Sequence, residues 1–213
     1  MDMQRPNPAT PNGHTFGIDQ KITTTILALA CCCSLSGCAS FSDGPIRHYK
    51  VRLTEKNLSM LSGTYELYPD SFYQKTGTAG LQAYSSRNRQ FHQYVSKSQI
   101  SFDTLANCHV VVQVSGDQAN FLFKENGLNK DSVRLSFKLQ SRGMLLLGNK
   151  SVTLQGIPYI LGGSESEKTR IGLAKDGGLI LNHAIDNTGA ILFFFMLGYS
   201  YDISYHFKRV NSK

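Results

Sequence analysis

Tryptophan is absent from this chain, and cysteine is confined. Of five cysteines in 213 residues, four lie between Cys31 and Cys38, and only Cys108 stands beyond them. That leaves no disulfide framework, and a chain of this length buries a sufficient core without one. Cys108 lies beside Val110-Val111-Val112 and reads as a small buried apolar residue, with no pattern that would activate its thiol. No HExxH motif or paired CxxC occurs beyond Cys38. His48, His92, His109, His183 and His206 are spread singly, so no metal site is expected. Phosphate-loop and dinucleotide fingerprints are missing. Leu161-Gly162-Gly163-Ser164-Glu165 lacks the second glycine of a nucleophile elbow. Glu165 and Glu167 fall in a Ser-Glu-Ser-Glu-Lys stretch that reads as an exposed loop. His183 and Asp186 are the nearest approach to a catalytic pair, and a His and a carboxylate three apart in a turn usually bond the backbone. Neither an enzyme nor a cofactor is expected. The net charge is +7, but no basic run carries interleaved stacking aromatics, which argues against nucleic acid as a partner.

Long apolar runs are missing too. A spanning helix needs about 20 apolar residues, and Ile22 to Leu35 supplies fourteen positions, three of them threonine. With Lys21 before it, that length suits the apolar region of a secretory signal. Residues 1–37 are therefore expected to be a signal peptide with a long, proline-marked leading region, outside the fold. The stretch ends in Leu35-Ser36-Gly37-Cys38, which resembles the lipobox of bacterial lipoproteins. The resemblance implies cleavage before Cys38, lipid on its thiol, and an acylated amino terminus. Each buried CH₂ contributes about 0.8 kcal/mol, and more than one chain gives stable anchoring. Ala39, not Asp, follows Cys38, which by the enterobacterial rule implies the outer membrane, facing the periplasm. Residues 38–47, polar and small from Ser40 to Pro45, read as a lipidated tether. Residues 48–213 read as a single domain. Removing residues 1–37 takes away two basic and two acidic residues, so the charge stays at +7. Such a charge suits an anionic membrane surface or polyanions, but the basic residues are scattered and read first as a solvated surface.

What the rest of the chain has is strand character. Val133, Leu135, Phe137 and Leu139 alternate with Ser132, Arg134, Ser136 and Lys138, the period of a strand with one buried face. Gly63 to Tyr68, Cys108 to Val114, Ala119 to Lys124, Met144 to Leu147, Ser151 to Leu154, Thr169 to Ala174, Gly178 to Leu181, Ala190 to Leu197 and Asp202 to Val210 read as further strands. Turn residues separate them at Glu125-Asn126-Gly127, Arg142-Gly143, Gly148-Asn149, Gly162-Gly163, Lys175-Asp176-Gly177-Gly178 and Asp186-Asn187-Thr188-Gly189. Many short strands with such turns predict an antiparallel barrel or sandwich. Leu81 to Val95 departs from the pattern and predicts a helix or a long loop.

Leu61-Ser62-Gly63-Thr64-Tyr65-Glu66-Leu67 resembles the first strand of lipocalin-like proteins, in which a glycine and an aromatic open the barrel and the aromatic closes its base. Gly156 to Gly163 and Lys168 to Lys175 are similar to uncharacterised bacterial lipoproteins with a lipocalin-like β-barrel. The resemblance implies a mainly β, antiparallel up-and-down barrel whose interior is filled by side chains or holds one small ligand. Strand phase makes Tyr65, Leu67, Phe137, Tyr159, Phe193, Phe195 and Tyr205 the candidate lining. The expected function is binding or carrying a small apolar or amphipathic, lipid-like molecule at the membrane. The alternative is a structural or assembly lipoprotein with a filled barrel and an envelope protein partner.

Overall fold

The computed structural model describes residues 39–73, 79–81, 89–157, 161–191 and 195–210. Strands dominate. β1 (Lys50–Val51), β2 (Gly63–Glu66), β3 (Ser71–Tyr73) and β4 (Ala79–Leu81) are short. They are followed by β5 (Cys108–Ser115), β6 (Gln118–Glu125), β7 (Leu128–Leu139), β8 (Leu145–Leu147), β9 (Ser151–Ile157), β10 (Leu161–Ala174), β11 (Leu179–Ile191) and β12 (Phe195–Phe207). Among the described residues, two 3-10 segments, Glu55–Leu61 and Phe91–Tyr94, complete the elements. The strands form one antiparallel sheet in the order β2-β5-β6-β7-β8-β10-β11-β12-β3-β4, with β1 and β9 also paired to β10.

From β5 onward the sheet is a meander, because each connection joins neighbours. β8 and β9 lie along β10 end to end, β8 against Arg170 and Ile171 and β9 against residues 161–167. They act as one strand interrupted at Gly148-Asn149-Lys150. Between β6 and β7, Asn126 and Gly127 both have positive φ, 51° and 82°. That is the backbone a two-residue hairpin with right-handed twist requires.

The ladder of named strands does not close. Beyond β12 the chain returns to β2. The Glu66 amide donates to the Lys208 carbonyl at 2.9 Å, and the Val210 amide to the Thr64 carbonyl at 2.8 Å. Tyr65 and Arg209 form an antiparallel bridge. β3 pairs with the body of β12 through Phe72 and Tyr205. Residues 63–73 thus run along β12 and its continuation on one side, while β2 pairs with β5 on the other.

One face of the sheet holds the main core. Directly paired residues share a face, and the register aligns Tyr65 with Val110 and Phe123, and Ile171 with Leu181 and Tyr205. Phe91, delivered by the second 3-10 segment, is fully buried among them. Its ring lies 5.5 Å from Phe121 and 5.2 Å from Phe207. The opposite face of β10 and β11 carries a second, smaller cluster of Ile46, Tyr73, Met144, Ala174 and Ile180.

Of the segment Leu81 to Val95, expected as a helix or a long loop, residues 82–88 lie outside the described residues; Leu81 ends β4, and Phe91–Tyr94 is a 3-10 segment. Three expectations need correction. Gly162-Gly163 and Asp186-Asn187-Thr188-Gly189 are not turns but interior positions of β10 and β11. Glu165 and Glu167 lie in β10, not in a loop. In each case thirteen or more paired positions outweigh local turn preference. Ala190 to Leu197 is not one strand: it spans the end of β11 and the start of β12.

Gly143 has φ +76°, and a Cβ there would stand 2.6 Å from the Leu53 backbone nitrogen. Gly116 has φ +58° with open space around it. Gly143→Ala is expected to lower thermal stability by well over 1 kcal/mol, combining left-handed strain with the clash, and Gly116→Ala by less. Equal melting shifts would show that the close approach of residues 52–53 to this turn contributes nothing.

Candidate functional site

The described residues among the expected lining are core. Tyr65 and Leu67 are fully buried, Tyr205 is 4% exposed and Phe137 8%. The Tyr65 hydroxyl donates to the Leu61 carbonyl at 2.8 Å, and the Arg209 guanidinium sits 5.4 Å from its ring centroid. Arg209 also donates to the carbonyls of Met60 and Ser62. Tyr205 packs against Tyr94 and accepts a hydrogen bond from Arg89. Cys38, Tyr159 and Phe193 lie outside the described residues, as does the signal segment 1–37. Phe195 is described only as backbone, at the start of β12. From the Leu173–Leu179 level up to Thr169–His183, the sheet's inner face is therefore occupied by its own side chains. A small opening of about 60 Å³ remains beside Tyr94, Asn149, Glu167 and His183.

His183 lies at the edge of that opening, 3.0 Å from the Thr169 hydroxyl and packed edge-on to Tyr94. Burial pushes its pKa down to about 4, so the ring is neutral near pH 7. Asp186 does not join it. Both residues sit in β11, and an offset of three along a strand sends side chains to opposite faces. Glu165 and Glu167, two apart, do share a face. Burial first, and then the neighbouring Glu165 carboxylate, raise the Glu167 pKa.

Sequence reasoning missed two histidine clusters, since their partners are far apart in the chain. His92 Nε2 lies 2.7 Å from Asp131 and 3.2 Å from the Ser98 hydroxyl. Serine and carboxylate meet the same ring nitrogen, whereas a serine relay needs them on opposite ones. This cluster clamps the second 3-10 segment to β7. His206 is 5% exposed, with Nδ1 2.6 Å from Asp70 and Nε2 3.1 Å from Asp176. Burial opposes its charge, but Asp70 and Asp176 outweigh burial and hold its pKa above the ordinary histidine range. A raised folded pKa contributes stability that is full below the unfolded value, about 6.5, and is lost as pH rises through the folded one. Stability should therefore fall as pH rises above the unfolded histidine value. His206→Gln should flatten that slope, and an unchanged slope in chemical denaturation between pH 6 and 9 would refute the assignment.

On the outside of the sheet the described residues form a cleft of about 830 Å³. One wall is the segment before β1, the stretch read as a tether. Phe41 stacks on Arg170 at 4.4 Å, and Asp43 accepts a hydrogen bond from Lys50 at 2.9 Å and is ion-paired with Arg170 at 2.7 Å. Ala39 and Ile46 are fully buried. Arg170 is itself buried and bonded to Asn182 at 2.6 Å. Burial tends to raise the Asp43 pKa, but Lys50 and Arg170 prevail and lower it. The clasp therefore holds above the usual carboxylate range and loosens only in acid. Arg47, Arg52 and Arg142 complete the lining.

Among the described residues, no helix is long and apolar enough to cross a membrane, and no group of His, Cys, Asp or Glu is placed to hold a metal. No protein-family model, curated protein or solved structure matches the chain.

Proposed function

We propose that this protein is a lipid-anchored, lipocalin-like barrel of the bacterial cell envelope that works through its exterior as a structural or assembly protein. The observation that carries this reading is the occupied inner face. Tyr65, Phe91, Phe121, Phe123 and Phe207 are all fully buried there. What supports a barrel is the count obtained when residues 63–73 are taken as one strand and β8 and β9 as another. Eight strands then go round, joined at the contacts of 64–66 with 208–210. Eight strands leave an interior that side chains can fill. The anchor rests on the lipobox at Cys38, and Cys38→Ser should release the protein from membranes.

Native mass spectrometry on the full chain carrying Cys38→Ser tests the reading against a ligand carrier. A bare mass in repeated preparations is expected. A discrete added mass that leaves with organic solvent would replace the filled barrel with a carrier.

A further inference from the structure

We propose that the exterior cleft is a binding site for a phosphate-bearing anion, presented in the envelope as the headgroup of an anionic phospholipid. The inference rests on the reading of the exterior as the working surface and gives that surface a ligand.

Four cations line the cleft, Arg47, Lys50, Arg52 and Arg142, with two acids, Asp43 and Asp202. Both acids are already engaged. Asp43 holds Lys50 and Arg170 and lies 3.7 Å from Arg142. Asp202 accepts from the Ser42 amide at 3.1 Å and from Asn182 at 3.3 Å. The arginines are not used up in the same way. Arg52 spends one N–H on the Ser141 carbonyl, Arg142 is 66% exposed on its side chain, and Arg47 is exposed. A guanidinium carries five donors in a planar fork that matches phosphate oxygens. The lining therefore sets four cations against two carboxylates, a positive excess, with the exposed arginines offering further donors.

Its position selects the source. Ser40 and Phe41 form part of the lining. Cys38 stands two residues before Ser40, about 7 Å of extended chain. Acyl chains on Cys38 would hold the cleft at the level of the headgroups, where each basic side chain adds to the attraction of an anionic surface.

The test uses the full chain with Cys38→Ser, so that the anchor does not mask weaker binding. Flotation with vesicles of phosphatidylcholine alone is compared with vesicles containing phosphatidylglycerol, at low and high salt. Inorganic phosphate is titrated separately by calorimetry. Binding is expected only with phosphatidylglycerol and should weaken with salt. Arg47→Ala with Arg142→Ala should reduce it about tenfold or more, while Lys97→Ala with Arg134→Ala, outside the cleft, should not. Arg47→Lys with Arg142→Lys keeps the charge and should recover part of the binding. Saturable phosphate binding lost in the Ala pair, without vesicle binding, would overturn the headgroup as source and leave the anion site. No binding to either probe, or equal losses in the two Ala pairs, would overturn the site. The outcome is separable from mass spectrometry, which reads the interior.

Discussion

Tyr65→Ala should lower the free energy of unfolding by about 3–5 kcal/mol, the range for removing a large aromatic from a core. Three things are lost together. The ring is fully buried, its hydroxyl bonds the Leu61 carbonyl, and its face carries the Arg209 guanidinium. Arg209 in turn ties the end of the chain to the first 3-10 segment through Met60 and Ser62. Tyr65→Phe keeps the ring and removes only the hydroxyl, and should cost about 1 kcal/mol. Natural domains are stable by only about 5–15 kcal/mol, so the Ala variant approaches the limit of folding. Denaturant titration with the slope held constant measures both. A loss below about 1 kcal/mol for Tyr65→Ala would mean that this junction does not hold the sheet's ends together.

Asp43→Asn has the second large effect, about 3–5 kcal/mol, because it leaves a buried cation without its partner. Arg170 is 3% exposed on its side chain and Asp43 16%. Removing both charges should be far milder than removing one. Asp43→Asn with Arg170→Met should regain most of the loss, and the double-mutant cycle should report strong coupling. The same single change should open residues 39–49 to proteases, since Phe41, Asp43 and Ile46 together hold that segment on the sheet. A single variant as stable and protease-resistant as the parent would show that the segment is not part of the fold.

The β7 alternation was legible because one face meets the core and the other meets water. Phe137 is buried, and Arg134, Ser136 and Lys138 are exposed, as the period of two requires. The Asn126-Gly127 turn was legible because its positive φ values call for those residues. Gly162-Gly163 and Asp186 to Gly189 misled for the opposite reason: turn-prone residues were carried inside long strands by pairing on their flanks. Tyr65 and Tyr205 are buried on one face of the sheet, and strand phase does not say whether such a face surrounds a ligand or other side chains. Phe91 packs on that face, and it arrives from a segment with no strand pattern at all. The exterior cleft was hidden most deeply. Apart from Phe41, Ser40 to Pro45 is polar and small, which reads as spacer. Its attachment depends on Arg170, 127 residues beyond Asp43.

The proposed barrel requires closure between residues 64–66 and 208–210, so closure is the claim to test most directly. Residue-by-residue amide hydrogen exchange does this on the intact chain. Closure predicts that the Glu66 and Val210 amides, bonded across the junction, exchange as slowly as Val110 and Val112 in the middle of β5. Rapid exchange at Glu66 and Val210, with β5 still protected, would mean an open sheet and would contradict the account.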